Sequence, residues 1–315
     1  VESGEPIWAA RVTERFDDVM GPGPRATPTY DLGQLYTLGA TGILLCMGAA
    51  TGDIMWQHDI KADTGARIPT WGFSSSPLLH DNLVHVYAGG PERKGVAAYH
   101  RASGNLIWTG GVGGPGYGTM HRAALSGVPQ LLMISSWGVE SFTGRTGEVL
   151  WSHQWSVKNN PRVVQPAFPA NNAVLLGTAD NMGTRRLRVF QENGAWKAEE
   201  EWTTKGFRPY FNDYVLYNGY CYGFDGNRLT CIDAATGERQ WRGERSGGQL
   251  LLLKDSARLL VLSEKGKVLL VDATPEGFNK TAEFQAIEGK TWNHPVVAQG
   301  KLLVRNDREM ACFAL

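Results

Sequence analysis

An eight-residue phrase, Ala-Ala-Thr-Gly-x-x-x-Trp, returns along this 315-residue chain and restricts its fold more than any other feature. Near copies run from Ser3-Gly4 to Trp8, Thr51-Gly52 to Trp56, Ser103-Gly104 to Trp108, Thr146-Gly147 to Trp151 and Thr236-Gly237 to Trp241. Two degenerate copies are Asn193-Gly194 leading to Trp202 and Asp272-Ala273-Thr274 leading to Phe284. The anchors at 8, 56, 108, 151, 202, 241 and 284 lie 39 to 52 residues apart, the period of a propeller blade. Between anchors, short apolar or alternating runs are broken by Gly, Asn and Asp, which is strand and turn chemistry without helical periodicity. One unit shows the layout: a strand ending near Tyr30, a turn at Asp31 to Gly33, and a strand Gln34 to Leu38. A turn at Ala40-Thr41-Gly42, a strand Ile43 to Met47, the Thr51-Gly52 turn and a fourth strand carrying Trp56 complete it. The same order fits segments starting near Ser74, Gly116, Gln165, Asn212 and Gly247. Glycine at the turn permits positive φ, and the Trp on the outer strand covers the seam between blades. The expected fold is all-β: a propeller of four-stranded antiparallel blades, seven in this chain.

Composition agrees with one compact domain over residues 1–315. Hydrophobic residues make up 42% and charged residues 20%, enough to bury a large core. Lys+Arg and Asp+Glu are both 31, so no net field draws the chain to nucleic acid or to an anionic membrane surface. The longest apolar runs, around Leu250 to Leu253 and Val268 to Val271, are strand-length and far below a membrane span. The chain begins at Val1 with neither an initiator Met nor a basic, apolar leader, as a processed mature protein or a piece of a longer one would. Cys46, Cys221, Cys231 and Cys312 form no CxxC or vicinal pair and read as small core residues. Cys221 and Cys231 flank a turn at Phe224-Asp225-Gly226-Asn227-Arg228, so a disulfide across that hairpin is one arrangement open to them. His80 and His85 flank a turn at Asp81-Asn82 and read as surface residues.

The phrases ending at Trp56 and Trp241 resemble the tryptophan-docking repeats of pyrroloquinoline-quinone dehydrogenases. They are also similar to the repeats of the propeller lipoprotein of the outer-membrane β-barrel assembly machinery. The resemblance covers almost the whole chain and concerns residues that hold blades together, so it speaks for fold rather than activity. Residues 295–315 supply three strands and stop where the other units go on to a Trp strand, while residues 1–12 supply a turn and a Trp strand alone. The expectation is that 1–12 forms the outer strand of the blade made by 291–315, closing the ring. The rival, implied by the resemblance, is an eight-bladed parent with further strands upstream.

Catalytic motifs are scarce. Gly111-Val112-Gly113-Gly114-Pro115-Gly116 matches G-x-G-x-x-G, but a strand rather than a helix follows it, so it reads as a flexible connection between blades. No G-x-S-x-G elbow, P-loop, HExxH or EF-hand loop occurs, and the seven His are scattered without metal-ligand spacing. Quinoprotein dehydrogenases of the resembling family carry a vicinal disulfide and a calcium site of Glu, Asn and a catalytic Asp; neither is recognisable here, nor is a haem-attaching CxxCH. No metal and no cofactor are therefore expected; pyrroloquinoline quinone stays open only through a site unlike the family's usual one.

In a propeller the connections leading into the innermost strands converge on one face of the channel. Here they contribute Arg25, Trp71, Tyr117, His121, Arg162, Gln165, Arg208, Tyr210, Asn212, Trp292, Asn293 and His294. In one reading these side chains plug the channel and bond to turn carbonyls. In the other they form a shallow site in which aromatic faces stack on a ligand while Arg25, Arg162 and Arg208 pair with its carboxylate or phosphate. The function expected from all this is a non-catalytic binding or scaffold propeller of the bacterial cell envelope, periplasmic or secreted, holding a protein, peptide or glycan at its channel face. The alternatives are a quinone-dependent alcohol or sugar dehydrogenase and a carbohydrate-active propeller such as a polysaccharide lyase.

Overall fold

The computed structural model describes residues 4–19, 21–158, 162–178 and 181–315; Ser3 of the first repeat phrase lies outside them. The protein is a seven-bladed β-propeller. Its chain divides into two compact units, Val1–Val163 and Val164–Leu315. The first unit holds blade 1 (Thr29–Asp31, Gln34–Leu38, Ile43–Gly48, Ile54–Asp59), blade 2 (Leu78–His80, Leu83–Gly90, Lys94–His100, Leu106–Gly110) and blade 3 (His121–Leu125, Val128–Ile134, Gly138–Phe142, Val149–Gln154). It also contains a two-stranded hairpin, Asp17–Asp18 with Gly21–Pro22, and a short helix, Ile60–Thr64, that the repeat did not announce. The second unit holds blade 4 (Ala167–Ala170, Ala173–Thr178, Gly183–Glu192, Ala195–Thr204) and blade 5 (Val215–Tyr217, Tyr220–Asp225, Arg228–Asp233, Arg239–Arg245). Blade 6 (Gln249–Leu253, Arg258–Leu262, Lys267–Asp272, Lys280–Gln285) and the three-stranded blade 7 (Val296–Ala298, Lys301–Arg305, Met310–Ala314) complete it. Each sheet is an antiparallel meander in chain order.

Middle strands such as Leu83–Gly90, Gly138–Phe142 and Ala173–Thr178 are buried almost throughout. Leu83–Gly90 meets blade 1 through Val84 and Val86 and blade 3 through Leu83 and Tyr87, so its sequence runs apolar without the alternation of a half-solvated strand. The core accordingly lies in the seams. Leu44 and Cys46 of blade 1 cluster with Val84, Val86 and Tyr99 of blade 2, and Leu229 and Cys231 of blade 5 with Leu259 and Val261 of blade 6.

Outer strands share one irregularity. In each complete blade the register to the third strand slips by one residue just before the Trp position, skipping Met55, Ile107, Leu150, Glu201, Gln240 and Thr281 in turn. Such a bulge re-aims the residue that follows it, and five of the six residues so aimed are Trp. In blade 6 the slip puts Ala282 at that position. Phe284, read from sequence as the degenerate anchor, sits two residues further on and packs edge-on against Phe313 at 5.2 Å.

The aimed indoles dock on the next blade. Trp56 Nε1 donates to Arg101 O at 2.9 Å, and a Cβ on Gly104 would lie 2.8 Å from the Trp56 ring. With φ of +74° there as well, only glycine fits. Trp108 donates to Gly144 O at 3.3 Å, Trp202 to Ala235 O at 2.7 Å and Trp241 to Thr274 O at 2.7 Å. Trp8 does the same to Ala49 O at 3.0 Å, although residues 4–12 form no ladder among the described residues. Trp151 differs, bonding Gln130 Oε1 of its own blade at 2.7 Å.

Three local expectations are corrected. Cys221 and Cys231 are free thiols, because the hairpin between them closes on Gly226-Asn227 alone. Cys231 therefore pairs with Tyr222 and Cys221 with Ile232, and the one-residue offset turns the two sulfurs to opposite faces. His85 is fully buried, its Nε2 held 2.9 Å from Gly144 O and its Nδ1 3.3 Å from Leu78 O. The turn at Asp81-Asn82 is present as read, but His85 lies three residues inside a strand covered on both faces.

The glycine-rich segment 111–116 is a fastened strut rather than a flexible connection. Gly114 N donates to Gly89 O at 3.0 Å, Tyr87 Oη to Gly114 O at 2.9 Å, and Ser136 N to Pro115 O at 3.0 Å. A Cβ on Gly113 would fall 1.8 Å from Gly90 O, so its glycines serve close backbone approach. The buried Glu140 carboxylate secures the segment further, accepting from Val112 N at 2.5 Å with Arg93 at 3.5 Å. Burial holds the Glu140 carboxyl above the ordinary glutamate value, against the lowering effect of Val112 N–H and Arg93. A raised folded-state value means that its contribution is fully present below the unfolded value of about 4.3 and is lost as pH rises through the raised one. Glu140→Gln, which keeps an acceptor for Val112 N–H, is expected to gain stability relative to the wild type as pH rises. Urea midpoints of both proteins at about pH 4 and about pH 7 measure this; a stability difference that does not change with pH would contradict it.

Candidate functional site

In the first unit, four of the residues singled out from sequence form one connected series. The Arg25 guanidinium donates from Nε to Trp71 O at 3.2 Å and from Nη2 to Gly21 O at 2.7 Å, and pairs with Asp18 at 3.0 Å. The Trp71 ring lies 5.2 Å from that of Tyr117, whose phenol oxygen accepts from Trp71 N at 3.3 Å. Tyr117 N in turn donates to Arg162 O at 3.4 Å. Arg162 is fully buried, donating from Nη2 to Trp155 O at 2.6 Å and from Nη1 to Ser135 O at 3.4 Å, with its guanidinium 5.0 Å above the Trp155 ring.

His121 stands apart from this series. It lines a separate open cavity of about 460 Å³ that runs across the first strands of blades 1, 2 and 3, from Thr29–Asp31 past Leu78 and Leu79 to Met120, His121 and Arg122. Tyr30 projects there with 65% of its surface exposed. Thr29 Oγ1 donates to Pro77 O at 2.5 Å, Ser76 N to Thr119 Oγ1 at 3.0 Å, and Asp31 is paired with Arg101 at 2.5 Å.

In the second unit, Tyr210 and Trp292 belong to an aromatic trio completed by Phe211, with ring centroids 5.3 Å and 6.0 Å apart and Lys290 Nζ 3.5 Å over the Trp292 ring. Buried Gln249 ties the trio together, its Nε2 donating to Trp292 O at 3.4 Å and Phe211 O at 3.5 Å. Asn212 is buried and donates to Gly248 O, and Gln165 N donates to Asp213 Oδ1 at 2.8 Å. Asn293 is half-buried and His294 exposed. Arg208 points elsewhere, to the buried Asp225 carboxylate at 2.9 Å, which Arg242 also contacts at 3.0 Å.

Arg25, Arg162 and Arg208 are thus each compensated from within the protein, by carboxylates or carbonyls. Asp18 supplies negative charge beside Arg25 and Asp225 beside Arg208, while Arg162 is held by carbonyls. The two carboxylates, with Phe211, Gln249, Tyr30 and Arg122, are what sequence reading missed. Phe211 and Arg122 are chain neighbours of residues that were singled out, whereas Asp225 was absorbed into a turn. Among the described residues, no group of three or more His, Cys, Asp or Glu side chains is placed to hold a metal ion, and no helix is long and apolar enough to cross a membrane.

Residues 1–160 and 135–309 each match the family described as outer membrane protein assembly factor BamB. The chain belongs to this family. A search of curated proteins finds no match, so the BamB relationship rests on the family match. BamB from Moraxella catarrhalis superimposes with a TM-score of 0.64 at 11% identity, covering 91% of this chain and 81% of that one. The quinohemoprotein alcohol dehydrogenase ADHIIG from Pseudomonas putida HK5 gives a TM-score of 0.58 at 15% identity, over 86% of this chain and 60% of the enzyme. At such identities both likenesses speak for the fold alone, and it is the BamB family match that separates the two relatives.

Proposed function

We propose that the chain is a non-catalytic binding propeller of the bacterial cell envelope, periplasmic or secreted, that holds a protein partner at its channel-side surfaces. The observation that carries this reading is the family match across residues 1–160 and 135–309, whose family is described as an assembly factor for outer membrane proteins. The make-up of the candidate residues supports it. Their charged members are spent on internal bonds that fix connections in place, and the aromatic trio of Tyr210, Phe211 and Trp292 leaves Tyr210 and Trp292 40% and 37% exposed. Half-exposed aromatics on a rigid scaffold suit protein recognition.

Quinone-dependent oxidation is the second reading, favoured by the likeness to the Pseudomonas putida enzyme. The two readings part on one experiment. The protein is incubated with pyrroloquinoline quinone and calcium and assayed for dye reduction by alcohols and aldose sugars. No turnover is expected; sustained turnover abolished by a chelator would replace the binding reading with the enzymatic one. Localisation is checked by fractionating cells that express the natural full-length gene with a carboxyl-terminal tag, and recovery in the cytoplasm would remove the envelope from the proposal.

A further inference from the structure

We infer that the cavity across the first strands of blades 1 to 3 is a recognition pocket for an acidic segment of a partner protein, with Arg122 receiving the carboxylate and the Tyr30 ring covering the apolar residue beside it. This rests on the binding reading and adds to it a place and a chemistry. The cavity, about 460 Å³ and open, falls within the range of ligand-sized clefts and can admit several side chains of a peptide. Its lining is largely apolar, from Pro77, Leu78, Leu79, Met120 and the ring of Tyr30.

Charge decides what it takes. Asp31 is neutralised by Arg101 at 2.5 Å, and Arg101 is itself largely covered. Arg122 is exposed and has no hydrogen-bond or ion-pair partner among the described residues, in contrast to Arg25, Arg162 and Arg208, all of which are engaged. An uncompensated guanidinium at the rim of an apolar hollow pairs best with a planar carboxylate, which it can bind through two parallel hydrogen bonds. The wall polar groups Thr29 Oγ1 and Ser76 N are already bonded within the protein. Arg122 and the phenol of Tyr30, with His121 beside them in the lining, then set specificity.

The test uses fluorescence anisotropy with a labelled octapeptide of alternating glutamate and leucine, and with its counterpart carrying lysine for glutamate. The wild type is expected to bind the glutamate peptide at least ~10-fold more tightly, as one good charge-assisted contact allows. Arg122→Ala should abolish that preference, Arg122→Glu should reverse it towards the lysine peptide, and Tyr30→Ala should weaken both. Reversal by the glutamate variant cannot come from misfolding. Equal binding of the two peptides, no binding of either, or an unchanged preference in Arg122→Glu would overturn the inference. So would tighter binding of a labelled oligogalacturonate, which would assign the pocket to an acidic glycan. Each of these leaves the binding reading standing, since that is tested separately by the quinone assay.

Discussion

Replacing Trp56 with alanine is expected to destabilise the unit that contains it by about 3–5 kcal/mol. The indole is 9% exposed, wedged against Tyr36 at 6.1 Å and laid on the Gly104 turn, and its N–H is satisfied by Arg101 O. Alanine would open a cavity in the seam between blades 1 and 2 and leave that carbonyl short of a donor. Trp56→Phe, which keeps most of the apolar area but not the N–H, should recover all but about 1 kcal/mol of the hydrogen-bond contribution. Ile107→Ala, at a bulge position 50% exposed, should cost under about 1 kcal/mol. Urea denaturation followed by intrinsic fluorescence and by circular dichroism separates these cases. A Trp56→Ala loss no larger than that of Ile107→Ala would mean that docking does not stabilise the seam.

Arg162→Ala is the second change with a large expected effect, about 2–4 kcal/mol. From sequence, Arg162 and Arg208 stand together outside the repeated phrase, as candidate ligand-binding residues or as bonds to turn carbonyls. Their surroundings now divide them. Arg162 is buried and tethers Trp155 O and Ser135 O, so its loss removes both tethers and the guanidinium over the Trp155 ring and leaves a large void. Arg208 is half-exposed, and Arg208→Ala leaves Asp225 its contact with Arg242, for a loss under about 1 kcal/mol. Thermal denaturation of the two single variants gives the ranking directly; equal losses would show that burial of Arg162 contributes nothing.

The architecture was legible because one phrase carries two instructions, a glycine turn and a Trp placed by a bulge, and repeats both. What escaped depends on registers and partners that no local pattern encodes. The Cys221–Cys231 hairpin reads as a five-residue turn, which would set the sulfurs opposite each other, whereas a two-residue turn shifts the ladder by one and separates them. His85 looks like a surface residue until Gly144, 59 residues away, supplies its acceptor. The glycines at 111–116 suggest mobility, yet Gly113 is required because Gly90 O occupies the space of a side chain. The candidate site follows the same rule. The connections rich in Arg and aromatics precede the first strands of their blades, but whether a guanidinium faces Asp18, Asp225 or nothing is settled only by folding. The proposed role of residues 1–12 as an outer strand draws on the same grammar, since Trp8 docks on Ala49 as Trp56 does on Arg101.

The docked tryptophans also bear on how such a gene can change length. A segment copied in frame from one Thr-Gly-x-x-x-Trp phrase to the next carries both halves of a seam, a turn that receives the indole encoded upstream and an indole for the turn encoded downstream. Unequal recombination between copies can then add or delete a blade while every new neighbour already fits. Blade number becomes a quantity that drifts by whole units, and selection on partners acts on the loops and hollows that the copied phrase leaves unconstrained.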